Sequence, residues 1–298
     1  MLLTDRATTA AFRLGWAAVK RLPEAAAYAL FERIADVTYA RGGRSVQYLR
    51  DNYATVRPEL TTTELDDLVR AGVRSYLRYW CEAFRLPSMT PAHIMARIRV
   101  VGDGPVLRAL SDGQPVVCFL GHMGNWDLAG AWGITHLGPV VTVAERLKPE
   151  EVFQEFLSYR EHLGLTILPL TGGADVFPAL VEALRPGVVM PLLADRDLTH
   201  TGVPATLCGH PVRVAPGPAT LAVRRRAALF PVSISYEDAP DLPGRWRTVV
   251  TFHDPVGDPG VGTTRERVEA MTRACAGVLG QAITAHTEDW HMMQRYFS

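Results

Sequence analysis

The feature that most constrains the fold is a change of hydrophobic pattern near residue 98. Before it, apolar and aromatic residues recur every three or four positions, which predicts amphipathic helices. After it, short apolar runs alternate with helical stretches, which predicts strands covered by helices. The predicted strands span residues 98–101, 116–120, 140–143, 166–168, 188–193 and 229–235. We therefore expect an α/β fold: a central, mostly parallel or mixed β-sheet flanked by α-helices, with an α-helical N-terminal extension.

The two parts are joined without a repeat, a low-complexity tract or a convincing linker. We therefore expect a single domain over residues 1–298, with a helical layer over residues 1–97 and an α/β core over residues 98–298. Within the helical layer, Glu64 follows Thr61 by three positions. This spacing predicts a capping box at the start of a long helix.

Charge and cysteine usage exclude several classes of protein. The 298 residues include 31 Lys+Arg and 31 Asp+Glu, so the chain lacks the basic excess that nucleic-acid binding requires. Its four cysteines form no C-x-x-C pair, which indicates a reducing compartment and no structural zinc. No window approaches the ~18 consecutive apolar residues of a spanning helix. We expect neither a metal nor a cofactor.

The N-terminal segment has an unusual distribution of charge. Phe12, Trp16 and Val19 lie on one face of a predicted helix, beside a basic stripe seven residues apart: Arg6, Arg13 and Lys20. Residues 1–50 hold eight Lys/Arg and four Asp/Glu, a local excess of four positive charges. The segment lacks the features of a secretory signal. We expect the N-terminal helices to contact an anionic membrane surface, although an ordinary helix packed on the core has the same periodicity.

The most informative motif follows the predicted strand at residues 116–120. Its sequence, GHMGNWD at residues 121–127, leads into a predicted helix and places His122 five positions before Asp127. We expect the Asp127 carboxylate to fold back onto one nitrogen of His122, so that the other nitrogen acts as a general base on a hydroxyl. A satisfied histidine at a capped helix start is the alternative. The strand context favours a site, since open α/β sheets bind ligands beyond the carboxyl ends of strands.

The residues around His122 suit close contact with a substrate. Gly121 and Gly124 let a ligand approach the main chain, and we expect Gly121, Gly124 and Asn125 to contribute to substrate binding. Free N–H groups in this loop or at the helix start are candidates for stabilising an oxyanion.

The GHMGNWD segment resembles the motif of the lysophospholipid acyltransferase superfamily. Three further segments are similar to one branch of it, which holds the lipid A biosynthesis acyltransferases and the actinobacterial phosphatidylinositol mannoside acyltransferases: YWCEAFRL at residues 79–86, LADRDL at 193–198 and EDWHM at 288–292. The resemblance covers most of the chain. It implies transfer of a fatty acyl chain, palmitoyl in the usual family reaction, from acyl-CoA to a mannose hydroxyl of phosphatidylinositol mannoside. It also implies the 6-position as acceptor and the cytoplasmic face of the plasma membrane as location.

The resemblance also draws attention to charged residues after other predicted strands. Glu145 follows the strand at 140–143 and Arg160 lies on the next predicted helix, and both correspond to residues that line the cleft of related enzymes. Asp195, Arg196 and Asp197 follow the strand at 188–193, with Asp195 the preferred member. We expect all five to bind substrate. Their alternatives are solvated helix charges and a polar turn.

Other functions remain open at this stage. The acceptor could be another glycolipid or a lysophospholipid. Water in place of the sugar hydroxyl would make the chain a thioester or ester hydrolase, but no G-x-S-x-G nucleophile motif is present. A third alternative is a non-catalytic lipid-binding protein.

Overall fold

The structure is a computed structural model that describes residues 19–145, 154, 157–158, 160–161, 163–170, 176–197 and 202–297, with the main chain alone at 145, 169 and 170. The predicted N-terminal helix with its basic stripe lies outside the described residues except for its end, Val19 and Lys20. Its contact with a membrane therefore stays a prediction.

Helices form the N-terminal part, as the periodicity predicts. They are α1 (Glu24–Arg41), α2 (Arg44–Val56), α3 (Thr62–Arg85) and α4 (Pro91–Ala96). The capping box at α3 is confirmed: the Glu64 N–H donates to Thr61 Oγ1, and the Thr61 N–H donates to the Glu64 carboxylate at 2.8 Å. These bonds satisfy two N–H groups that the first turn otherwise leaves unpaired.

A mixed sheet forms the second part, and the expected α/β fold is confirmed. Its strands and helices alternate along the chain: β1 (Ile98–Val101), α5 (Gly104–Ser111), β2 (Val116–Leu120), α6 (Trp126–His136), β3 (Val141–Glu145), β4 (Thr166–Leu170), α7 (Phe177–Ala183), β5 (Val189–Leu193), β6 (Val203–Leu207), β7 (His210–Val214), α8 (Gly217–Arg225), β8 (Ala228–Asp238), β9 (Trp246–Phe252) and α9 (Thr264–Ala285).

The five-stranded sheet has the order β1-β9-β8-β2-β5. Neighbouring strands are parallel except for β8 and β9. A parallel bridge from Val140 to Val189 places the β3–β4 pair beside β5. The carboxyl ends of β3, β5, β2 and β8 consequently meet at one edge of the sheet.

Three strands have no counterpart in the predicted set: β6, β7 and β9. The first two form an antiparallel hairpin with a two-residue turn, Cys208-Gly209, whose φ angles are both positive. Pro204 and Pro211 lie inside these strands, and proline is excluded from central strands, so the pattern favours a loop there. The hairpin is a separate two-stranded sheet, where proline costs little.

The helical layer and the sheet share one apolar core. Tyr53 on α2 and Val73 on α3 lie in the same buried cluster as Phe119 on β2 and Met190 on β5. Each of these side chains is fully buried. The helical layer therefore packs directly on the strands whose ends carry the motif residues.

All four cysteines are free. Among the described residues, none of the helices combines the length and the apolar character needed to cross a lipid bilayer.

Candidate active site

The strand register brings His122 and Asp195 together. Parallel strands β2 and β5 end opposite each other, with Leu120 paired to Leu193. The Ala194 N–H extends the ladder by donating to the Leu120 carbonyl at 2.8 Å. Each functional residue lies two positions beyond its strand end, so the two side chains meet at the carboxyl edge of the sheet.

Two contacts hold His122 against the Asp195 carboxylate. Nδ1 of His122 lies 2.6 Å from Oδ1 of Asp195, and the His122 main-chain N–H donates to Oδ2 at 3.0 Å. Asp195 is completely buried, whereas the His122 side chain is 23% exposed. Burial by itself raises the pKa of Asp195, but the His122 charge and these hydrogen bonds outweigh it and hold the pKa below its usual value. The carboxylate is therefore ionised, and Nδ1 of His122 carries the proton between them.

The expected pairing of His122 with Asp127 is wrong. Asp127 instead accepts hydrogen bonds from Arg160 at 2.7 and 3.0 Å and from the Tyr79 hydroxyl at 2.9 Å. Burial and the Asp127 charge both raise the pKa of Tyr79, so its hydroxyl stays protonated and donates. Asp127 belongs to the first turn of α6, where its side chain faces Arg160 and Tyr79 in place of His122.

Asn125 supports the motif from beneath. Its side chain is fully buried, with Oδ1 accepting from the Leu128 N–H at 2.9 Å and Nδ2 donating to Glu82 at 2.7 Å. The same Glu82 accepts hydrogen bonds from two tyrosine hydroxyls, those of Tyr28 and Tyr236. Asn125 thus caps α6 and joins it to α3. Both of its side-chain polar atoms are bonded to the protein, and its contact with substrate stays a prediction.

The two glycines of the motif have close neighbours where a side chain would begin. Gly124 has a φ of +55°, and an added Cβ would lie 2.7 Å from the Ile234 carbonyl oxygen. A Cβ on Gly121 would lie 3.2 Å from Leu279 and 3.5 Å from Asp195 Oδ2. Gly124 therefore admits the main chain of β8, and Gly121 lies against Leu279 and Asp195, while the contact of both glycines with substrate stays a prediction.

The main-chain N–H groups of this loop are engaged as well. His122 donates to Asp195, Met123 to the Gly121 carbonyl at 2.7 Å, and Gly124 to the Asp289 carbonyl at 2.9 Å. None of these three is available for an oxyanion, contrary to the expectation for the loop.

His122 opens onto a cavity of about 350 Å³. Aromatic and charged side chains line it together, among them Tyr76, Tyr79, Trp80, Trp126, Asp127 and Arg160. A smaller apolar cavity of about 50 Å³ lies between α6 and the sheet. The two share Leu120, Trp126, Gly130 and Pro191 as walls. A larger cavity that carries polar and charged groups, beside a smaller apolar one, suits a substrate with both kinds of surface.

Known proteins are similar to this chain over nearly its whole length. A sequence model for bacterial lipid A biosynthesis acyltransferases matches residues 1–298. The chain belongs to the bacterial lipid A biosynthesis acyltransferase family. It is also similar to a phosphatidylinositol mannoside acyltransferase of Mycolicibacterium smegmatis, with 39% identity over 293 residues that cover 98% of this chain and 92% of that protein. A protein of the same name from Mycobacterium tuberculosis is 42% identical over 295 residues, covering 98% and 89%.

Family membership makes the chain an acyltransferase. The other residues predicted to bind substrate lie at different places in the structure. Arg160 and Arg196 line the cavity, as expected of residues that meet substrate. Asp197 accepts a hydrogen bond from the Gly202 N–H at 2.6 Å and so orders the turn after β5. Glu145 is the last residue of β3, at the same edge of the sheet, and its side chain lies outside the described residues.

The C-terminal segment contacts both loops of the candidate site, which the sequence did not predict. The Trp290 indole donates to Asp195 Oδ2 at 3.1 Å, and the Tyr296 hydroxyl donates to the Asp195 carbonyl at 2.6 Å. The His291 N–H donates to the His122 carbonyl at 2.8 Å. Both strand-end loops are therefore held by the last residues of the chain.

A second buried network lies behind this segment. The Ser75 hydroxyl donates to Asp289 Oδ1 at 2.6 Å and lies 3.0 Å from His291 Nε2. Since Ser75 has one proton, Nε2 of His291 donates to it. Burial lowers the pKa of His291 to about 3 and raises that of Asp289 to about 6. His291 is therefore neutral at pH 7.

Proposed function

We propose that this acyltransferase transfers a long-chain fatty acyl group, palmitoyl in particular, from acyl-CoA to a mannose hydroxyl of phosphatidylinositol mannoside, at the 6-position. The acceptor is the one named for the relatives that share 39% and 42% of their residues with this chain over nearly its whole length. The observation that carries the chemistry is the His122–Asp195 pair, with its histidine in the cavity wall.

His122 acts as the general base. In the neutral imidazole whose proton lies on Nδ1, toward Asp195, Nε2 is the unprotonated nitrogen that removes the proton of the sugar hydroxyl. The hydroxyl oxygen attacks the thioester carbonyl carbon and forms a tetrahedral intermediate. Its collapse breaks the carbon–sulfur bond, and the imidazolium returns the proton to the CoA thiolate. No acyl-enzyme forms, and Asp195 stabilises the imidazolium throughout.

Arg160 and Asp127 prepare the cavity for charge. Two hydrogen bonds to Asp127 fix the Arg160 guanidinium, whose side chain is 18% exposed. A fixed cation in a partly dry cavity stabilises negative charge more strongly than it would in water. We assign Arg160 to the phosphate of the acceptor or to the oxyanion, with Asp127 as its support, and no metal or cofactor enters the scheme.

The first carbons of the acyl chain enter the smaller apolar cavity in this scheme. The described residues that line it are apolar in character, and they include Cys118, Trp132, Val140, Val232 and Phe252. Burial of each methylene group of the chain contributes about 0.8 kcal/mol. In this scheme those carbons pass beside Trp126, a wall of both cavities, whose ring centroid is 5.9 Å from that of His122.

The reaction takes place, we infer, at the cytoplasmic face of the plasma membrane, with the N-terminal helices on its anionic surface. One face of α1 supports this: Leu30, Ile34 and Val37 are 43%, 40% and 49% exposed at helical spacing. The exposed Arg33 and Arg41 lie on the same face, and the acidic Asp36 is turned away toward Arg74. An apolar face flanked by arginines suits the headgroup region of anionic lipid.

A product analysis tests the proposal. Purified protein is mixed with radiolabelled palmitoyl-CoA and mannosylated phosphatidylinositol, and the lipids are separated. An acylated glycolipid is expected. Free fatty acid would indicate a hydrolase. The absence of both products would indicate a lipid-binding protein. Parallel reactions with a lysophospholipid or another glycolipid test those acceptors.

The general base is tested in the same assay. His122→Ala should lower the rate roughly a hundredfold to ten-thousandfold, the usual contribution of acid–base catalysis. His93→Ala, at an exposed position on α4, is the matched control. A folded His122→Ala variant with the rate of the control would exclude the proposed mechanism.

A further inference from the structure

The Asp195 carboxylate has two oxygens with different partners. Oδ2 accepts from the His122 main-chain N–H at 3.0 Å and from the Trp290 indole at 3.1 Å. Oδ1 is left for Nδ1 of His122 at 2.6 Å. A carboxylate can turn about its Cβ–Cγ bond, so its partners determine which oxygen faces the histidine. Both Asp195 and Trp290 are fully buried, so bulk water does not reach the hydrogen bond between them.

We propose that Trp290 is a positioning residue for acyl transfer, since its indole N–H holds the Asp195 carboxylate in the orientation that pairs it with His122. The inference rests on the proposed role of His122 as general base. Trp290 itself lines neither of the two cavities described above. It therefore acts through Asp195 and not on the substrate.

The chemistry of the indole fits this role. Tryptophan donates one hydrogen bond and accepts none, so it cannot remove the proton that His122 and Asp195 share. It is also uncharged, and it stabilises the ionised carboxylate without competing with the imidazolium that forms during the reaction. A hydrogen bond to a charged group in a dry environment is stronger than one between neutral groups.

The fold holds Trp290 on several sides. The Tyr53 hydroxyl donates to the Trp290 carbonyl at 2.9 Å, and an antiparallel bridge joins Trp290 to Met123 in the motif loop. Asn52 donates to the carbonyls of Met292 and Gln294 and accepts from the Tyr296 N–H, which ties down the segment that follows. The indole is thus fixed before substrate arrives, as positioning requires.

The test replaces Trp290 by phenylalanine in the full-length protein. Trp290→Phe removes the N–H and keeps an aromatic ring. We expect kcat to fall roughly tenfold to a hundredfold, as for loss of a hydrogen bond to a charged group, with KM for palmitoyl-CoA and acceptor unchanged. The downfield proton resonance of His122 Nδ1–H should move upfield, because the carboxylate is no longer aligned with it.

Trp246→Phe is the matched control. The Arg78 guanidinium carbon, Cζ, lies 3.7 Å from the centroid of the Trp246 ring. Trp246 lines neither cavity. The control should leave kcat and the His122 proton unchanged. If Trp290→Phe does not fold, a second variant takes its place. It carries at residue 290 a tryptophan isostere that has sulfur in place of the ring N–H.

The outcomes separate this inference from the proposed function. A folded variant without the N–H that keeps full kcat and an unshifted His122 proton overturns the role of Trp290. If His122→Ala also keeps full kcat, the proposed function fails as well. A fall in kcat and a shifted proton, each absent from Trp246→Phe, supports the positioning role.

Discussion

At the scale of the residue, the site contains two carboxylates of similar burial with different partners. Asp195 is 0% and Asp127 is 7% exposed. Asp195 faces His122, whereas Asp127 faces Arg160 and Tyr79. Their substitutions should consequently affect different kinetic parameters.

The first prediction compares these two carboxylates. Asp195→Asn should lower kcat roughly a thousandfold or more with KM retained, because the amide no longer stabilises the imidazolium or its tautomer. Asp127→Asn should act chiefly on KM for the acceptor, because it releases Arg160. Steady-state kinetics on both variants checks this, and equal effects on kcat would contradict the assignment of Asp195 as the partner of His122.

The second prediction concerns His291 and pH. Its folded pKa of about 3 lies below the unfolded value near 6.5, so the unfolded chain binds more protons as the pH falls from 6.5 to 3. Stability from His291 is present above pH 6.5 and is lost toward pH 3. At pH 5 the loss is about 2 kcal/mol, from 1.36 kcal/mol per pH unit.

Comparison of His291→Gln with wild type isolates this contribution. Asp289, with its pKa raised to about 6, contributes in the opposite sense, since its stabilising protonation is lost as the pH rises through 6. That contribution is common to both proteins. Urea unfolding at pH 7 and pH 5 should show His291→Gln gaining about 2 kcal/mol relative to wild type at the lower pH. A constant difference between the two proteins would refute the prediction.

At the scale of the element, the loop after β2 is shaped by what lies against it. Gly124 combines a left-handed φ of +55° with the Ile234 main chain directly beside it. Gly113, in the turn after α5, has a φ of +72° and open space where a Cβ would be. The pair separates backbone strain from steric exclusion.

The third prediction uses these two glycines. Gly113→Ala should cost about 1 kcal/mol of unfolding free energy, the strain of a left-handed alanine. Gly124→Ala should cost about 2 kcal/mol more, because either the loop or β8 must shift, and it should also reduce acyl transfer. Denaturant unfolding of both variants is the measurement, and equal losses would show that Ile234 does not confine the loop.

At the scale of the whole molecule, the site lies between the helical layer and the sheet. Tyr76, Tyr79 and Trp80 on α3 form one wall of the cavity, and the strand ends form another. The exposed face of α1 belongs to the same layer, since α1 contacts α3 through pairs such as Phe31 and Phe84. A lipid surface bound by α1 would therefore act on an element that is continuous with the cavity wall.

The fourth prediction tests that surface. Ile34→Glu should weaken binding to phosphatidylinositol-containing vesicles roughly tenfold, because it removes apolar area and adds a like charge against anionic lipid. Val261→Glu, at a position that is 76% exposed before α9, is the control and should bind as wild type does. Cosedimentation with anionic and with neutral vesicles measures both, and unchanged binding of Ile34→Glu would remove α1 from the membrane contact.

Much of this protein is determined by local pattern. Hydrophobic periodicity determined the change from helices to strands near residue 98, six of the strands and the capping box at Thr61, since each depends on residues a few positions apart. The position of His122 after a strand likewise predicted a candidate site at the carboxyl edge of the sheet. The hairpin β6–β7 was not predicted, because both of its strands contain proline, which central strands exclude. In a two-stranded sheet both strands are edge strands, where proline is tolerated.

The partner of His122 was decided by tertiary structure. Asp127 is five residues away in the chain, but Asp195 lies opposite His122 because β2 and β5 are paired in parallel with their ends in register. Trp290 and His291 contact Asp195 and His122 although both lie more than 160 positions after His122 in the chain. Strand pairing and the burial of a charged group depend on the whole fold, which is why no local spacing revealed them.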